Sequence, residues 1–83
     1  MRIDKFLKVS RLIKRRTVAN EACDHERIVV NGRVVKASYD VKVGDVIEMH
    51  FGERVISVRV KEIAEHVKKD DAHTMYEEIP SAN

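Results

Sequence analysis

Hydrophobic residues near the amino end recur with the spacing of an amphipathic helix. Ile3, Phe6 and Leu7 stand at positions i, i+3 and i+4, which places them in one apolar stripe. This spacing predicts a first helix over residues 3–9. Three adjacent cations at residues 14–16 then interrupt the pattern, so we expect a turn or short linker there instead of one long helix.

A second helical segment follows this run of cations. Thr17 carries a hydroxyl that can cap the free backbone N–H groups of a helix, and the helical spacing that follows it fades near Glu26. We therefore predict a second helix that is capped by Thr17 and ends near Glu26. Its predicted buried face consists of Val18, Ala19, Ala22 and Cys23.

Beyond this helix the hydrophobic period changes from helical to alternating, which is typical of strands. Two segments rich in β-branched residues, Ile28-Val29-Val30 and Arg33-Val34-Val35, flank the dipeptide Asn31-Gly32. Asn-Gly most readily adopts the two positive φ angles of a type I′ turn. The sequence therefore predicts a β-hairpin centred on Asn31 and Gly32.

A second pair of strands is predicted further along the chain. Residues 36–45 are expected to form a connecting loop, and the alternation over residues 46–51 indicates a half-buried strand. Gly52-Glu53 suits a type II′ turn, after which residues 54–63 return as the partner strand. The side chains predicted to face the core are Ile56, Val58 and Val60.

These elements predict an α+β fold, with two helices packed on a small antiparallel sheet of about four strands. After Ala64 the pattern weakens, but it allows a short helix that is capped by Asp70 or Asp71 and ended by Pro80. The apolar residues of that short helix are Ala72, Met75, Tyr76 and Ile79.

Composition limits the chain to one domain. Its 83 residues are 43% hydrophobic and only 5% aromatic, enough for a single thin core but not for a catalytic domain beside a substrate domain. No apolar run approaches the roughly 20 residues of a membrane span, and no signal peptide is evident. Cys23, the single cysteine, excludes an internal disulfide. We expect a soluble, cytoplasmic monomer.

Charge is distributed unevenly along the chain. Residues 1–16 hold seven basic side chains and one acidic side chain, whereas residues 43–83 hold five basic and nine acidic ones. The chain therefore has one strongly positive end, which attracts polyanions. Asp4, the acid of the first segment, is expected to orient a neighbouring cation such as Lys8 or to favour the helix N-terminus.

Four segments, in this order, carry a resemblance to a known family: residues 1–8 (MRIDKFLK), 11–17 (RLIKRRT), 30–36 (VNGRVVK) and 41–45 (VKVGD). Together they resemble the RNA-binding domain first described in the fourth small-subunit ribosomal protein, with its alpha-L RNA-binding motif. The resemblance implies an RNA-binding domain over residues 1–63 and a C-terminal extension over residues 64–83.

Short free-standing members of this family include a ribosome-associated quality-control factor and a heat-shock protein that binds large ribosomal subunits carrying peptidyl-tRNA. The opening segment and the length are similar to those of the quality-control factor. The resemblance thus implies binding to obstructed large subunits through ribosomal RNA and peptidyl-tRNA, in support of the factor that tails stalled chains without a template. The heat-shock type of activity is the alternative.

The predicted RNA-binding residues are the cations of the first helix and linker, Thr17, and two cations of the hairpin. They are Arg2, Lys5, Lys8, Arg11, Lys14, Arg15, Arg16, Thr17, Arg33 and Lys36. Because this set contains no aromatic ring for base stacking, we expect recognition of the RNA backbone and its shape instead of the base sequence.

Other interpretations of these residues stay open on the sequence alone. A dense basic run also occurs on ordinary solvated surfaces, and an acidic C-terminal part can recruit a protein partner while the basic part binds RNA. Cys23 and His25 lie close together, but the remaining histidines are dispersed, which does not fit structural zinc. We predict no metal, no cofactor and no catalytic residue, and hence not an enzyme.

Overall fold

The computed structural model describes residues 1–80, in which two helices precede a five-stranded antiparallel sheet. The helices are α1 (Ile3–Val9) and α2 (Arg16–Asp24), and the strands are β1 (Ile28–Val30), β2 (Arg33–Val34), β3 (Val46–Phe51), β4 (Arg54–Val60) and β5 (Tyr76–Ile79), with a 3-10 helix (Lys69–Met75) before β5. The strand order is β2-β1-β3-β4-β5. The α+β class is confirmed. Residues 81–83 of the predicted extension lie outside the described residues.

The first helix has the predicted bounds, and its apolar stripe is fully buried. Ile3, Phe6 and Leu7 form one core cluster with strand side chains that include Ile47 and Val58. Burial of such side chains contributes roughly 1.5–3 kcal/mol each, so this stripe fixes α1 against the rest of the domain.

Among residues 1–80, no helix is long and apolar enough to cross a membrane.

The second helix begins one residue before Thr17, and the predicted threonine cap is wrong. Arg15 is the N-cap residue and makes no side-chain capping bond. The backbone of Arg15 is extended, and its carbonyl accepts the N–H of Ala19 in the first hydrogen bond of the helix. Thr17 therefore lies inside the first helical turn and not before it. Val18 is 44% exposed, so its predicted place on the buried face is also wrong, whereas the remaining three residues of that face are buried.

The predicted hairpin is confirmed in its turn and its register. Asn31 and Gly32 adopt φ angles of 51° and 85°, as a type I′ turn requires, and Val30 pairs with Arg33 across the turn. The Asn31 side chain also accepts the N–H of Val46 at 2.9 Å and donates to Asp45 at 3.0 Å. The turn is thereby joined to the start of β3.

The second predicted pair of strands is also present, but β4 ends at Val60 instead of residue 63. Val46, the first residue of β3, pairs with Arg59, so β3 offers no partner beyond Val60. Gly52 adopts a φ of 62° in the connecting turn, as a type II′ turn requires. Of the predicted core residues, Val58 and Val60 are buried and Ile56 is half-buried.

The predicted C-terminal helix is only partly correct. A 3-10 helix does form, but its N-cap is Lys68, which makes no side-chain bond, so neither predicted aspartate caps it. It ends at Met75, and the following residues form β5, which pairs antiparallel with β4 from Val60↔Tyr76 to Ser57↔Ile79. The open edge of β4 supplies backbone hydrogen-bond partners for Tyr76–Ile79. The apolar spacing of these residues alone does not indicate a strand.

Candidate nucleic-acid interface

A single buried carboxylate, Asp4, joins the start of α1 to the start of α2. Asp4 is 2% exposed and accepts two bonds from the Arg2 guanidinium, both at 3.2 Å, and one from Arg16 at 3.4 Å. It also accepts the side-chain amide of Asn20 at 3.3 Å and the backbone N–H of Lys5 at 2.8 Å. Asp4 therefore orients Arg2 and Arg16, and not Lys8 as the sequence suggests.

The two arginines keep binding capacity although they share this carboxylate. Their side chains remain 50% and 47% exposed, for Arg2 and Arg16 respectively. A guanidinium has five N–H donors, and Asp4 uses two from Arg2 and one from Arg16. Asp4 thus fixes the position of both cations while leaving donors for an external anion.

The protonation of Asp4 reflects this environment. Burial disfavours the carboxylate and by itself raises the pKa, but the bonds from Asn20, Arg2 and Arg16 outweigh burial and hold the pKa of Asp4 below its usual value of 3.8. At neutral pH the side chain is therefore ionised, which is the form that accepts the bonds from both helices.

We expect Asp4→Asn to lower stability in a pH-dependent way. At about pH 7 the free energy of unfolding decreases by about 1–2 kcal/mol, because charge-assisted bonds to partly exposed arginines are lost. The folded pKa of Asp4 is depressed, so this contribution is present above about pH 4 and is lost as the pH falls through the folded value.

Urea unfolding of the wild type and of Asp4→Asn at several pH values measures this difference. The exposed acid Asp24 on α2 offers a matched control in Asp24→Asn, for which no comparable loss is expected. An equal difference between wild type and Asp4→Asn at about pH 3 and pH 7 would contradict the role given to the carboxylate.

Lys5, the next residue of α1 after Asp4, is already paired within the domain. Its ammonium group forms an ion pair with Glu65, which belongs to the segment between β4 and the 3-10 helix. This hydrogen bond and charge hold the pKa of Glu65 below its usual value. Lys5 is therefore partly neutralised within the domain, and we rank it below its neighbours as an anion-binding residue.

Four cations line a groove of about 400 Å³ at the end of α1: Lys8, Arg11, Lys14 and Lys69. We call this the basic groove. All four side chains are exposed, and none lies within 4.0 Å of a carboxylate among residues 1–80. The first three are predicted site residues, whereas sequence reasoning missed Lys69, which lies more than fifty residues further along the chain. No local signal points to it.

Arg11 occupies a backbone conformation that is unusual for its residue type. Its φ of 63° is left-handed, which costs a residue with a side chain roughly 1–2 kcal/mol relative to the right-handed region. This conformation lets the N–H of Arg11 bond to the carbonyl of Lys8 at 3.1 Å and ends α1. Glycine would fit this position without strain, so the chain carries a cation where the backbone conformation favours glycine.

The remaining predicted residues are divided between other parts of the surface. Arg15 is exposed at the start of α2, and Thr17 and Arg16 line a second groove of about 370 Å³ together with Glu21. Lys36 lies beside Arg2 in a third groove of about 730 Å³, whose lining also contains two carboxylates. Those carboxylates are Asp24 and Glu26.

Arg33 stands apart from the other predicted residues. It lies on β2, the edge strand of the sheet, and lines none of the three grooves described above. The structure therefore brings Lys8, Arg11 and Lys14 together, links Arg2 with Arg16 through Asp4, and leaves Arg33 outside both groups.

Asp45 is a second buried carboxylate, and the sequence gives no hint of its role. It accepts the hydroxyl of Tyr39 at 2.9 Å, the side-chain amide of Asn31 at 3.0 Å and the N–H of Lys42 at 3.0 Å. These bonds outweigh burial and lower the pKa of Asp45. Asp45 ties the loop over 36–45 to the hairpin, so it supports the fold and does not face an anion.

Cys23 has the properties of a structural residue. Burial, with smaller effects from Asp4 and Asp24, raises the pKa of its thiol to about 11, so it is a poor nucleophile at neutral pH. Among residues 1–80 no group of three or more metal-ligating side chains comes together. The charged groups that this surface offers are mainly cations, of which Arg2 and Arg16 are held in place by Asp4.

The S4 domain family model matches residues 1–47, which is more than half of the chain and includes α1, α2 and the hairpin. The chain belongs to the S4 domain family.

Curated relatives show to which group within the S4 domain family the chain belongs. The Halalkalibacterium halodurans protein named "RQC P-site tRNA stabilizing factor" is 53% identical over 77 residues, covering 93% of this chain and 88% of the relative. The Bacillus subtilis protein of the same name is 54% identical over 76 residues, covering 92% and 88%. Within the S4 domain family, the chain belongs with these proteins.

A solved structure shows the same fold. Vibrio cholerae heat shock protein 15, described as trimeric, superposes with a TM-score of 0.87 at 25% identity, covering 95% of this chain and 81% of that protein.

Proposed function

We propose that this chain is an RNA-binding factor of ribosome-associated quality control. In this proposal it binds obstructed large ribosomal subunits, contacts ribosomal RNA and the peptidyl-site tRNA, and supports template-free tailing of the stalled nascent chain. The observation that carries the proposal is the set of exposed cations at the end of α1 that have no carboxylate partner within residues 1–80, in a chain more than 50% identical to factors named for stabilising P-site tRNA.

The geometry suggests a division of work among the ten candidate residues. Arg2 and Arg16 are positioned by Asp4 and can offer paired N–H donors to a phosphate, which lysine cannot do. Lys8, Arg11 and Lys14 supply charge and form no ion pair within residues 1–80. Five residues contribute less in this proposal. Lys5 is paired with the exposed Glu65, and Arg33 lines none of the grooves described above. Arg15, Thr17 and Lys36 are neither part of the basic groove nor held by Asp4.

Recognition of this kind follows the shape of the RNA backbone. A-form RNA has a deep, narrow major groove that side chains do not read, and the lining of the basic groove holds no aromatic ring for stacking bases. Phosphates are therefore the groups that these cations reach. We propose binding to structured RNA with little dependence on base sequence.

Further parts of the proposal concern organisation and partners. Residues 1–63 carry most of the RNA contacts, and residues 64–83 extend the domain. The protein acts in the cytoplasm as a monomeric, non-enzymatic binding factor, together with the factor that tails the stalled chain. The fold similarity to a trimeric heat shock protein makes the oligomeric state a direct question for sedimentation analysis.

The second candidate function is that of a heat-shock-type protein that binds free large subunits carrying peptidyl-tRNA and recycles them. The TM-score of 0.87 to heat shock protein 15 favours it, but the identity of 25% is less than half of that to the quality-control relatives. Both functions need the same charged surface, so the two must be separated by activity.

A tailing assay in a lysate depleted of this protein separates them. Stalled nascent chains should lose most of their template-free tails on depletion and regain them when the purified protein is added. The same preparation should bind large subunits that carry peptidyl-tRNA more tightly than empty ones. Tailing that is unchanged by depletion, with recycling impaired, would support the heat-shock type of function instead.

A further inference from the structure

The basic groove has two walls that come from opposite ends of the chain. Lys8, Arg11 and Lys14 belong to α1 and its following loop, whereas Lys69 is the first residue of the 3-10 helix. Residues 1–47 are the part that matches the S4 domain family, so Lys69 lies well outside that region. The C-terminal segment thus adds a cation to the surface of the N-terminal helix.

Several contacts hold this C-terminal wall in place. Glu65 forms an ion pair with Lys5 of α1, and Val67 packs against the core. Met75 is fully buried at the other end of the 3-10 helix, and its carbonyl accepts the N–H of Lys61 at 2.9 Å. The backbone that carries Lys69 is therefore fixed on both sides, and the position of Lys69 beside α1 follows from packing.

We infer that the basic groove binds a stretch of RNA phosphodiester backbone and that Lys69 is one of its RNA-binding residues. This inference rests on the proposed function and extends it to a residue of the C-terminal segment. The four lining groups are three ammonium groups and one guanidinium, with no carboxylate and no aromatic ring among them. Such a lining attracts phosphates and offers nothing to stack on or pair with a base.

Other grooves of the domain contain carboxylates among their lining residues. One of about 120 Å³ shares Lys8 and Arg11 with the basic groove and includes Glu65, whose charge is already paired with Lys5. The groove of about 730 Å³ combines Arg2 and Lys36 with Asp24 and Glu26, and the groove of about 370 Å³ combines Arg16 with Asp4 and Glu21. Carboxylates repel phosphates and reduce the local positive potential. Because its own lining holds no carboxylate, the basic groove offers the most favourable phosphate site among these grooves.

The test compares two adjacent lysines that differ in position. Lys69 lines the groove, whereas Lys68, which is also exposed, precedes the 3-10 helix and does not. Lys69→Gln and Lys68→Gln remove the same charge from neighbouring positions. Each full-length variant is titrated against purified large ribosomal subunits over a range of salt concentrations, and thermal melting verifies that each variant is folded.

We expect Lys69→Gln to weaken binding about eightfold at about 0.1 M salt, which corresponds to one phosphate contact with a slope of about −0.9. Its salt slope should be shallower than that of the wild type by nearly one unit, while Lys68→Gln changes affinity by less than about twofold. Equal effects of the two variants would overturn the inference.

A third variant distinguishes an error about the role of Lys69 from an error about RNA binding as a whole. Arg11→Gly removes the charge from the opposite wall at a position where the backbone favours glycine, so the fold is not strained. If Arg11→Gly weakens binding and Lys69→Gln does not, RNA binding stands and the role of Lys69 is wrong. If wild type and all variants bind with no salt dependence, the RNA-binding function itself is wrong.

Discussion

Replacement of Asn31-Gly32 by Val-Val is expected to lower the free energy of unfolding by about 4 kcal/mol, because β-branched residues resist the left-handed conformation at both positions. The bond that the Asn31 side chain donates to Asp45 and the one that it accepts from the N–H of Val46 are lost at the same time, and each contributes about 1 kcal/mol. A domain of this size has a total stability of about 4–12 kcal/mol, so the expected loss is between about a third and all of that stability.

Thermal melting followed by circular dichroism measures this effect as a decrease in Tm of about 20 °C. Asn31→Gly is the matched control, since glycine accepts the turn conformation but lacks the side-chain bonds, and about 1–2 kcal/mol is expected. A double variant that melts with the wild type would show that the turn is not needed for the fold. If Asn31→Gly is as unstable as Val-Val, the side-chain bonds and not the backbone angles dominate.

The largest effect on function is expected from Arg11→Glu combined with Lys14→Glu. Each substitution removes a cation from the basic groove and adds a charge that repels phosphate. With about eightfold per lost contact at about 0.1 M salt, and repulsion in addition, the affinity for large subunits should fall by about a hundredfold. Neither side chain is buried or ion-paired within residues 1–80, so stability should change by less than about 0.5 kcal/mol.

A control with the same change in net charge separates local from overall electrostatics. Arg27→Glu combined with Arg54→Glu alters two exposed arginines that lie outside the basic groove and form no ion pair in the described part of the chain. We expect this control to weaken binding by less than about fivefold through the long-range field alone. Equal losses from both double variants would show that net charge, and not the groove, controls binding.

Local patterns were sufficient for the elements that short-range physics determines. The spacing of Ile3, Phe6 and Leu7 predicts a helix over residues 3–9, and α1 has these bounds. Asn31-Gly32 predicts the turn that sets the register of β1 and β2. In both cases the determining residues are adjacent or one helical turn apart. The sequence therefore contains the whole signal within a short window.

Elements that depend on distant partners were missed. Strand β5 has no clear alternation of its own, and it forms because the open edge of β4 offers a row of backbone partners. Helix α2 starts at Arg16, whereas the sequence predicts a start at Thr17. The Arg16 guanidinium donates to Asp4, which lies twelve residues earlier in the chain. Neither contact can be read from the spacing of neighbouring side chains.

The candidate site shows the same division between local and distant information. The basic run identifies the cations, but only the fold shows that Lys5 is paired with Glu65, that Arg2 and Arg16 share Asp4, and that Lys69 joins the groove. Helical spacing points from Asp4 to Lys8, yet the buried carboxylate faces α2. The sequence predicts which groups carry charge, and the packing decides which of them remain available.

The dependence of large-subunit affinity on salt tests most directly whether cations at the end of α1 hold RNA. If roughly five phosphates are neutralised, the logarithm of the affinity should fall by about 3.5–4.5 for each tenfold increase in salt, or on the order of a hundredfold between about 50 and 200 mM. The Arg11→Glu, Lys14→Glu variant should show a slope shallower by nearly two units. A wild-type affinity that barely changes over this range would contradict phosphate binding and point to an apolar protein contact instead.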